Sequence, residues 1–288
     1  YQKALEIAEE RKMTFVHPFN DLAVATGQGS IAMEIFKELP TVDIILVPIG
    51  GGGLAAGVST LAKMLNPNIQ VIGVEPANAA CMKASLKAGK VVSLPSAVTI
   101  ADGTAVKTPG DIVFPYIQKN LDDIITVEDE ELIVNFLDVV ENHKMVVENS
   151  GLLTVAALKH LNCKDKRVVS ILSGGNMDII TMSSVVQHGL IERGRVFTVS
   201  VQLPDRPGEL VNVANVIAQL KGNVIRLEHN QFVSINRNAA VELKITLEAF
   251  GHEHKQQIVD ALKEKGYDPK LENSLSARRV SSPHGTVR

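Results

Sequence analysis

The stretch Ile44-Ile45-Leu46-Val47-Pro48-Ile49-Gly50-Gly51-Gly52-Gly53-Leu54 decides how this chain is read. It begins with almost continuous Ile, Leu and Val, the composition of a strand buried on both faces of a parallel sheet. Four glycines follow, and the apolar spacing then predicts a helix over 54–65. Without Cβ atoms, successive backbone N–H groups can turn toward one point and form an anion nest. A helix starting just behind them adds unpaired N–H groups and the positive end of its dipole. The stretch therefore reads as a phosphate-binding turn. A plain flexible connector is the alternative, but four glycines in a row make a costly connector because each loses extra backbone entropy on folding.

Working outward, short apolar segments alternate with longer helical ones. Strands are expected at 14–17, 44–48, 70–74, 124–127 and 168–172, and helices at 29–38, 54–65, 79–88, 129–142 and 150–160. This alternation indicates an α/β protein built on a parallel sheet. A second unit is expected from 196. A strand over 197–202 leads through Asp205-Arg206-Pro207-Gly208 into a helix reaching about Lys221, which Gly222-Asn223 ends. Strands at 223–230 and 239–247, a helix at 253–265 and a short strand at 268–272 complete a β-α-β-β-α-β, ferredoxin-like order. The Ser/Arg-rich stretch 274–288 has too little apolar surface to offset its ordering entropy and is expected to be disordered.

Composition narrows the function classes. Of 288 residues 45% are apolar and 21% charged, the balance of an ordinary globular protein. A net charge of -3 and the absence of Trp offer nothing for nucleic acid or an anionic membrane. No apolar run approaches the length of a membrane span. The two cysteines, Cys81 and Cys163, lie far apart and suggest neither a disulfide framework nor a zinc site, so a cytoplasmic location is expected. The opening residues read as the middle of an amphipathic helix without an initiator Met, and the expectation is a chain that starts inside a longer polypeptide.

Two functional readings compete for the glycine turn. Gly51-x-Gly53-x-x-x-Gly57 approximates a dinucleotide fingerprint, with Glu75 ending the next strand where a ribose-binding acid belongs. The other reading is a cup for a cofactor phosphate, and ordered landmarks elsewhere favour it. These are His17-Pro18-Phe19-Asn20-Asp21, Gly27-Gln28-Gly29-Ser30, Pro48 to Leu54, Gly73-Val74-Glu75-Pro76, Thr99-Ile100-Ala101-Asp102-Gly103, Val147-Glu148-Asn149-Ser150-Gly151 and Leu172-Ser173-Gly174-Gly175-Asn176. With them residues 1–195 resemble the threonine ammonia-lyase (threonine dehydratase) and serine racemase group of fold-type II, tryptophan synthase β-like, pyridoxal-phosphate (PLP) enzymes.

The resemblance implies that Gly50, Gly51, Gly52 and Gly53, with the Leu54 N–H, cradle the PLP phosphate. It implies that Ser173 faces the pyridine nitrogen, where a neutral hydroxyl can hydrogen-bond an unprotonated ring nitrogen. Capping of a following helix is the alternative role for Ser173. Glu148 is placed near the cofactor ring, with a surface or capping role as its alternative. Glu75 matches a cation site of some relatives, but the acidic partner there falls at Cys81, a poor ligand for a hard cation. Glu75 is thus a metal candidate or merely a partner of a backbone group. The family's Schiff-base lysine, in a Ser-Phe-Lys type motif, and its Ser-x-Gly-Asn-His substrate loop do not occur in residues 1–288. No catalytic residue is therefore assigned within this chain, which alone is expected to be inactive. The implied reaction of the whole enzyme is conversion of L-threonine or L-serine to a 2-oxo acid and ammonia, with racemisation as the rival outcome.

Residues 196–273 resemble an ACT regulatory domain, carried by Val199-Ser200-Val201-Gln202-Leu203-Pro204-Asp205-Arg206-Pro207-Gly208-Glu209-Leu210. The resemblance implies a homo-oligomer whose Asp205, Arg206, Pro207 and Gly208 turn takes an amino-acid effector such as isoleucine or valine, with His229 and Asn230 as possible neighbours. A purely structural pairing module is the alternative. An ACT module behind a PLP domain points to the threonine ammonia-lyases, and isoleucine biosynthesis is the natural setting. An NAD-linked dehydrogenase with an ACT domain and a non-enzymatic regulatory subunit remain the rivals.

Overall fold

The computed structural model describes residues 1–231 and 241–272. The expected tail at 274–288, and residues 239–240 of an expected strand, lie outside them. The chain forms two compact units, Tyr1–Ser183 and Ser184–Arg288.

In chain order the first unit begins with α1 (Gln2–Glu10), α2 (Leu22–Glu38), β1 (Ile44–Pro48), α3 (Gly53–Leu65), β2 (Gln70–Pro76) and α4 (Cys81–Ala88). It continues with α5 (Phe114–Asn120), β3 (Asp123–Val127), α6 (Asp129–Asp138), α7 (Asn149–Ala156), β4 (Val168–Ser170) and the start of α8 (Ile179–Glu192). The four strands form one parallel sheet in the order β3-β2-β1-β4. Every residue of β1 is buried, as its composition requires of a central strand covered on both faces. Ile45, Val47 and Ile49 join Val71, Ala55, Val58 and Ala62 in the core.

Local signals explain most boundaries. The helix expected at 29–38 begins earlier, at Leu22, because the Asp21 carboxylate accepts the N–H groups of Ala23 and Val24. Glu128 and Glu131 close a capping box on α6. That helix then loosens into a π-helical turn, Val139–His143, so the helix expected to 142 is regular only to Asp138. The strand expected at 14–17 does not form. Among the described residues this segment pairs with no strand, and its rings meet edge to face instead: Phe15 meets Tyr1 at 5.6 Å and His17 at 6.1 Å between centroids.

α2 and α3 cross at glycines. A Cβ on Gly57 would stand 2.0 Å from the Ala25 carbonyl oxygen and 2.9 Å from the Gly29 nitrogen, both backbone atoms that cannot rotate away. Gly57→Ala is therefore expected to cost about 2 kcal/mol by overpacking. Urea titration should show it as a lower midpoint at unchanged slope; an unchanged midpoint would mean the helices sit further apart.

The second unit contains β5 (Val196–Leu203), α9 (Glu209–Gln219), β6 (Asn223–Asn230), β7 (Val241–Glu248), α10 (His252–Glu264) and β8 (Lys270–Glu272). Its antiparallel sheet has the order β6-β7-β5-β8, the ferredoxin-like topology. Val199, Val201, Leu203, Leu243, Ile245, Ile258 and Leu262 form its core. The expected start at 196 falls after the observed division because the end of α8 is bonded into this unit: Arg195 N–H donates to Leu190 O, and Ala249 N–H to Arg195 O.

Candidate functional site

In the first sheet the chain runs from β1 outward through β2 to β3, then returns to the other side of β1 for β4. The carboxyl ends of β1 and β4 therefore flank a topological switch point, where open parallel sheets leave a crevice for ligands. Both sequence motifs that drew attention, the tetraglycine turn after β1 and Ser173 after β4, emerge there.

The crevice is a cleft of about 430 Å³ lined by Pro48, Gly50 to Leu54, Pro18, Phe19, Gln28, Gly103, Thr104, Val106, Glu148, Ser150 and Ser173. The structure thus brings together the glycine loop, Glu148 and Ser173, residues separated by roughly a hundred positions in sequence. Among the described residues no hydrogen bond to a protein group engages the N–H of Gly50, Gly51, Gly52, Gly53 or Leu54, although Gly51 to Gly53 are buried. Buried backbone donors without partners are rare and ask for an acceptor. Gly52 has φ of +103° as the residue preceding α3, a left-handed conformation that glycine adopts without strain.

The turn also needs glycine because of what packs on it. A Cβ on Gly51 would lie 2.2 Å from the Phe19 ring, and one on Gly53 would lie 2.8 Å from the Phe19 carbonyl oxygen. The 109–112 loop holds the other side, with Gly110 N–H donating to Gly51 O at 2.9 Å. A phosphate monoester fits this cup: unpartnered backbone donors and a helix N-terminus behind them.

Ser173 is fixed by α7. Thr154 Oγ1 donates to Ile171 O at 2.9 Å, and a Cβ on Gly151 would come within 2.8 Å of Ser173 O. Ser173 does not cap a helix, since α8 starts only at Ile179 and Asp178 accepts its first N–H groups. Glu148 stands at the N-cap position of α7 without making a capping bond; its Oε2 accepts the Asn176 N–H at 3.1 Å. The capping alternatives for both residues are therefore corrected. The loop carrying Gly103 and Thr104 is tied down from outside, by Thr99 Oγ1 and Ile100 N–H donating to Asp129 and by Asn149 Nδ2 donating to Ile100 O.

Glu75 lies elsewhere. It is fully buried at the end of β2, and its two carboxylate oxygens accept the N–H groups of Met82 and Lys83, each at 2.8 Å. Burial pushes its carboxyl up to about 7. Burial, then the nearby Glu75 charge, pushes the Cys81 thiol to about 12, so that it stays a protonated thiol. Glu75 thus serves backbone groups at the start of α4, the second of its two expected roles. Among the described residues no group of three or more His, Cys, Asp or Glu side chains is arranged to hold a metal ion. The dinucleotide reading fails at the same residue, since a buried, doubly bonded carboxylate does not reach a ribose.

The Asp205-Arg206-Pro207-Gly208 turn precedes the helix it was expected to start. Gly208 has φ of +96°, α9 begins at Glu209, and all four turn residues are exposed. Sequence reasoning assigned no role to Phe19, Thr104, Val106 or Ser150, although the first and last stood within landmarks it quoted. Among the described residues no helix is long and apolar enough to cross a membrane.

The family model described as "Pyridoxal-phosphate dependent enzyme" matches residues 1–174. An L-threonine ammonia-lyase of Geobacter sulfurreducens is 42% identical over 93% of this chain and 67% of its own length. One from Thermotoga maritima is 38% identical over 94% of this chain and 68% of its own. The processed threonine deaminase isoform 2 of Solanum lycopersicum superposes with a TM-score of 0.61 at 34% identity, over 65% of this chain and 56% of that one. The chain thus spans about two thirds of the length of the two bacterial relatives and 56% of the plant structure. With the family model matched over residues 1–174 and two threonine ammonia-lyases 42% and 38% identical over most of the chain, this chain belongs to the pyridoxal-phosphate dependent enzyme family, among its threonine ammonia-lyases.

Proposed function

We propose that this chain carries the cofactor-binding part of a threonine ammonia-lyase that converts L-threonine to 2-oxobutanoate and ammonia, with L-serine as a second substrate. One observation carries the reading: unpartnered buried amides of the tetraglycine turn open into the same cleft as Ser173 and Glu148. When bound, pyridoxal phosphate supplies an electron sink for negative charge left at the substrate α-carbon. The N–H groups of Gly50 to Leu54 hold its phosphate. The Ser173 hydroxyl donates to the ring nitrogen without protonating it. Phe19 covers the cup on one side and excludes water from it. Glu148, held by the Asn176 amide, presents its other oxygen to the cleft as an acceptor.

The amine that attaches the cofactor is not among the residues lining the cleft, which include no lysine. The chain by itself is accordingly inactive in this reading. The second unit acts as an ACT domain whose exposed 205–208 turn offers backbone N–H groups to an amino-acid effector such as isoleucine or valine. The whole protein is read as a cytoplasmic homo-oligomer of isoleucine biosynthesis.

Titrating the purified chain with pyridoxal phosphate tests the cofactor reading. Saturable binding competed by inorganic phosphate is expected, with no 2-oxobutanoate formed from threonine and no lysine label after borohydride. Binding of NAD in place of pyridoxal phosphate, or of neither, would remove the reading.

A further inference from the structure

His17 takes no part in the cleft, yet its imidazole is tied to what closes the cup. Its Nδ1 accepts two backbone N–H groups, from Asn20 at 2.9 Å and from Phe19 at 3.3 Å. One ring nitrogen can accept only when it carries no proton, so the ring holds its hydrogen on Nε2. The same ring meets the Phe19 ring edge to face, with centroids 4.7 Å apart and planes at 84°. His17 thus sets both the backbone and the ring of Phe19. Phe19 in turn has its ring against Gly51 and its backbone against Gly53.

A second branch leaves from Asn20. Its Oδ1 accepts Ile112 N–H at 2.9 Å and its Nδ2 donates to Asp111 at 2.7 Å. That holds the loop whose Gly110 N–H donates to Gly51 O. Both flanks of the cup therefore trace back to the turn that His17 Nδ1 closes. Two further aromatic rings meet the imidazole edge to face, Tyr1 at 5.6 Å and Phe15 at 6.1 Å between centroids.

We infer that His17 is a positioning residue for the cofactor phosphate, acting through Phe19 and Asn20 as a hydrogen-bond acceptor and not through charge. The inference rests on the tetraglycine turn being the phosphate cup. An acceptor at this position is the requirement, and an asparagine or aspartate side chain meets it, because such residues accept N–H groups two and three positions on in Asx-turns. A ring of the same shape without an acceptor does not.

Pyridoxine 5'-phosphate, which lacks the aldehyde, reports on the cup alone and is titrated into the full chain by calorimetry. His17→Phe is expected to weaken binding about tenfold, or about 1.4 kcal/mol, while His17→Asn stays within about threefold of the parent. Equal loss in both variants, or no loss in either, overturns the inference. Failure of the parent chain to bind at all sinks the cup assignment instead, so the two are separable. Should His17→Phe not fold, ¹⁵N spectra of the parent decide: a His17 ring protonated on Nε2 with a bare Nδ1 supports the proposal, and a proton on Nδ1 defeats it.

Discussion

Gly51→Ala is expected to weaken binding of pyridoxal phosphate about a hundredfold. The added methyl would sit 2.2 to 2.4 Å from three atoms of the Phe19 ring, far inside contact distance. A flexible side chain would swing away, but this ring is not free to. His17 packs on it, its own backbone lies against Gly53, and its N–H is bonded to His17. Either the ring leaves the cup or the cup deforms, and overpacking of this kind costs about 1–3 kcal/mol. Because that displacement falls on the groups proposed to hold the phosphate, most of it should appear in affinity, where about 2.7 kcal/mol is a hundredfold. Gly27→Ala is the control. It sits inside α2 with nothing within 4 Å of the new Cβ, so it should leave affinity unchanged and add roughly 0.5–1 kcal/mol of stability. Parent-like affinity in Gly51→Ala would show that Phe19 does not stand against the turn when the cofactor binds.

The second large effect is on stability and has a definite direction with pH. Burial raises the Glu75 carboxyl from the usual 4.5 to about 7 in the folded chain. Between those values the folded state holds a proton that the unfolded state has released, so stability falls as pH rises through this window. It levels off above about 7, where both states are ionised. At roughly 1.4 kcal/mol per pH unit the whole fall amounts to roughly 3 kcal/mol. Asp111, Glu131 and Asp178 are all held below the usual carboxylate range and act in the opposite sense at lower pH. The measurement is therefore a difference. Urea midpoints of the parent chain and Glu75→Gln are compared from pH 4.5 to 8. The parent should lose ground to the variant as pH rises to about 7 and run parallel beyond it. Curves parallel throughout would mean that Glu75 titrates as it does in water. The lost ground is the cost of a buried charge, which the two amides of α4 offset only in part.

Much of this was legible in the chain itself. The run of Ile, Leu and Val at 44–47 suited a doubly covered strand, and four glycines behind it favoured a turn whose backbone meets something closely over a plain connector. The β-α-β-β-α-β order of the second unit followed from alternation and turn residues, which are local signals. The 14–17 strand failed because alternation of Phe15 and His17 looks the same whether the rings face a sheet or one another. The sequence expectation of a helix only over 29–38 falls short because the glycine pair Gly27 and Gly29 masks a helix that Asp21 caps further back.

Sequence alone determined the strand, the glycine turn behind it and the family, because each rests on residues adjacent in the chain and on their order. Tertiary structure alone decided that Glu148 and Ser173 share a cleft with the turn, that Phe19 packs against the turn, and that Glu75 serves the amides of α4. Those facts depend on which strand lies beside β1 and on contacts such as Phe19 with Gly51, made across long stretches of chain. Local propensity carries no information about such pairings; the burial of the whole core selects them at once.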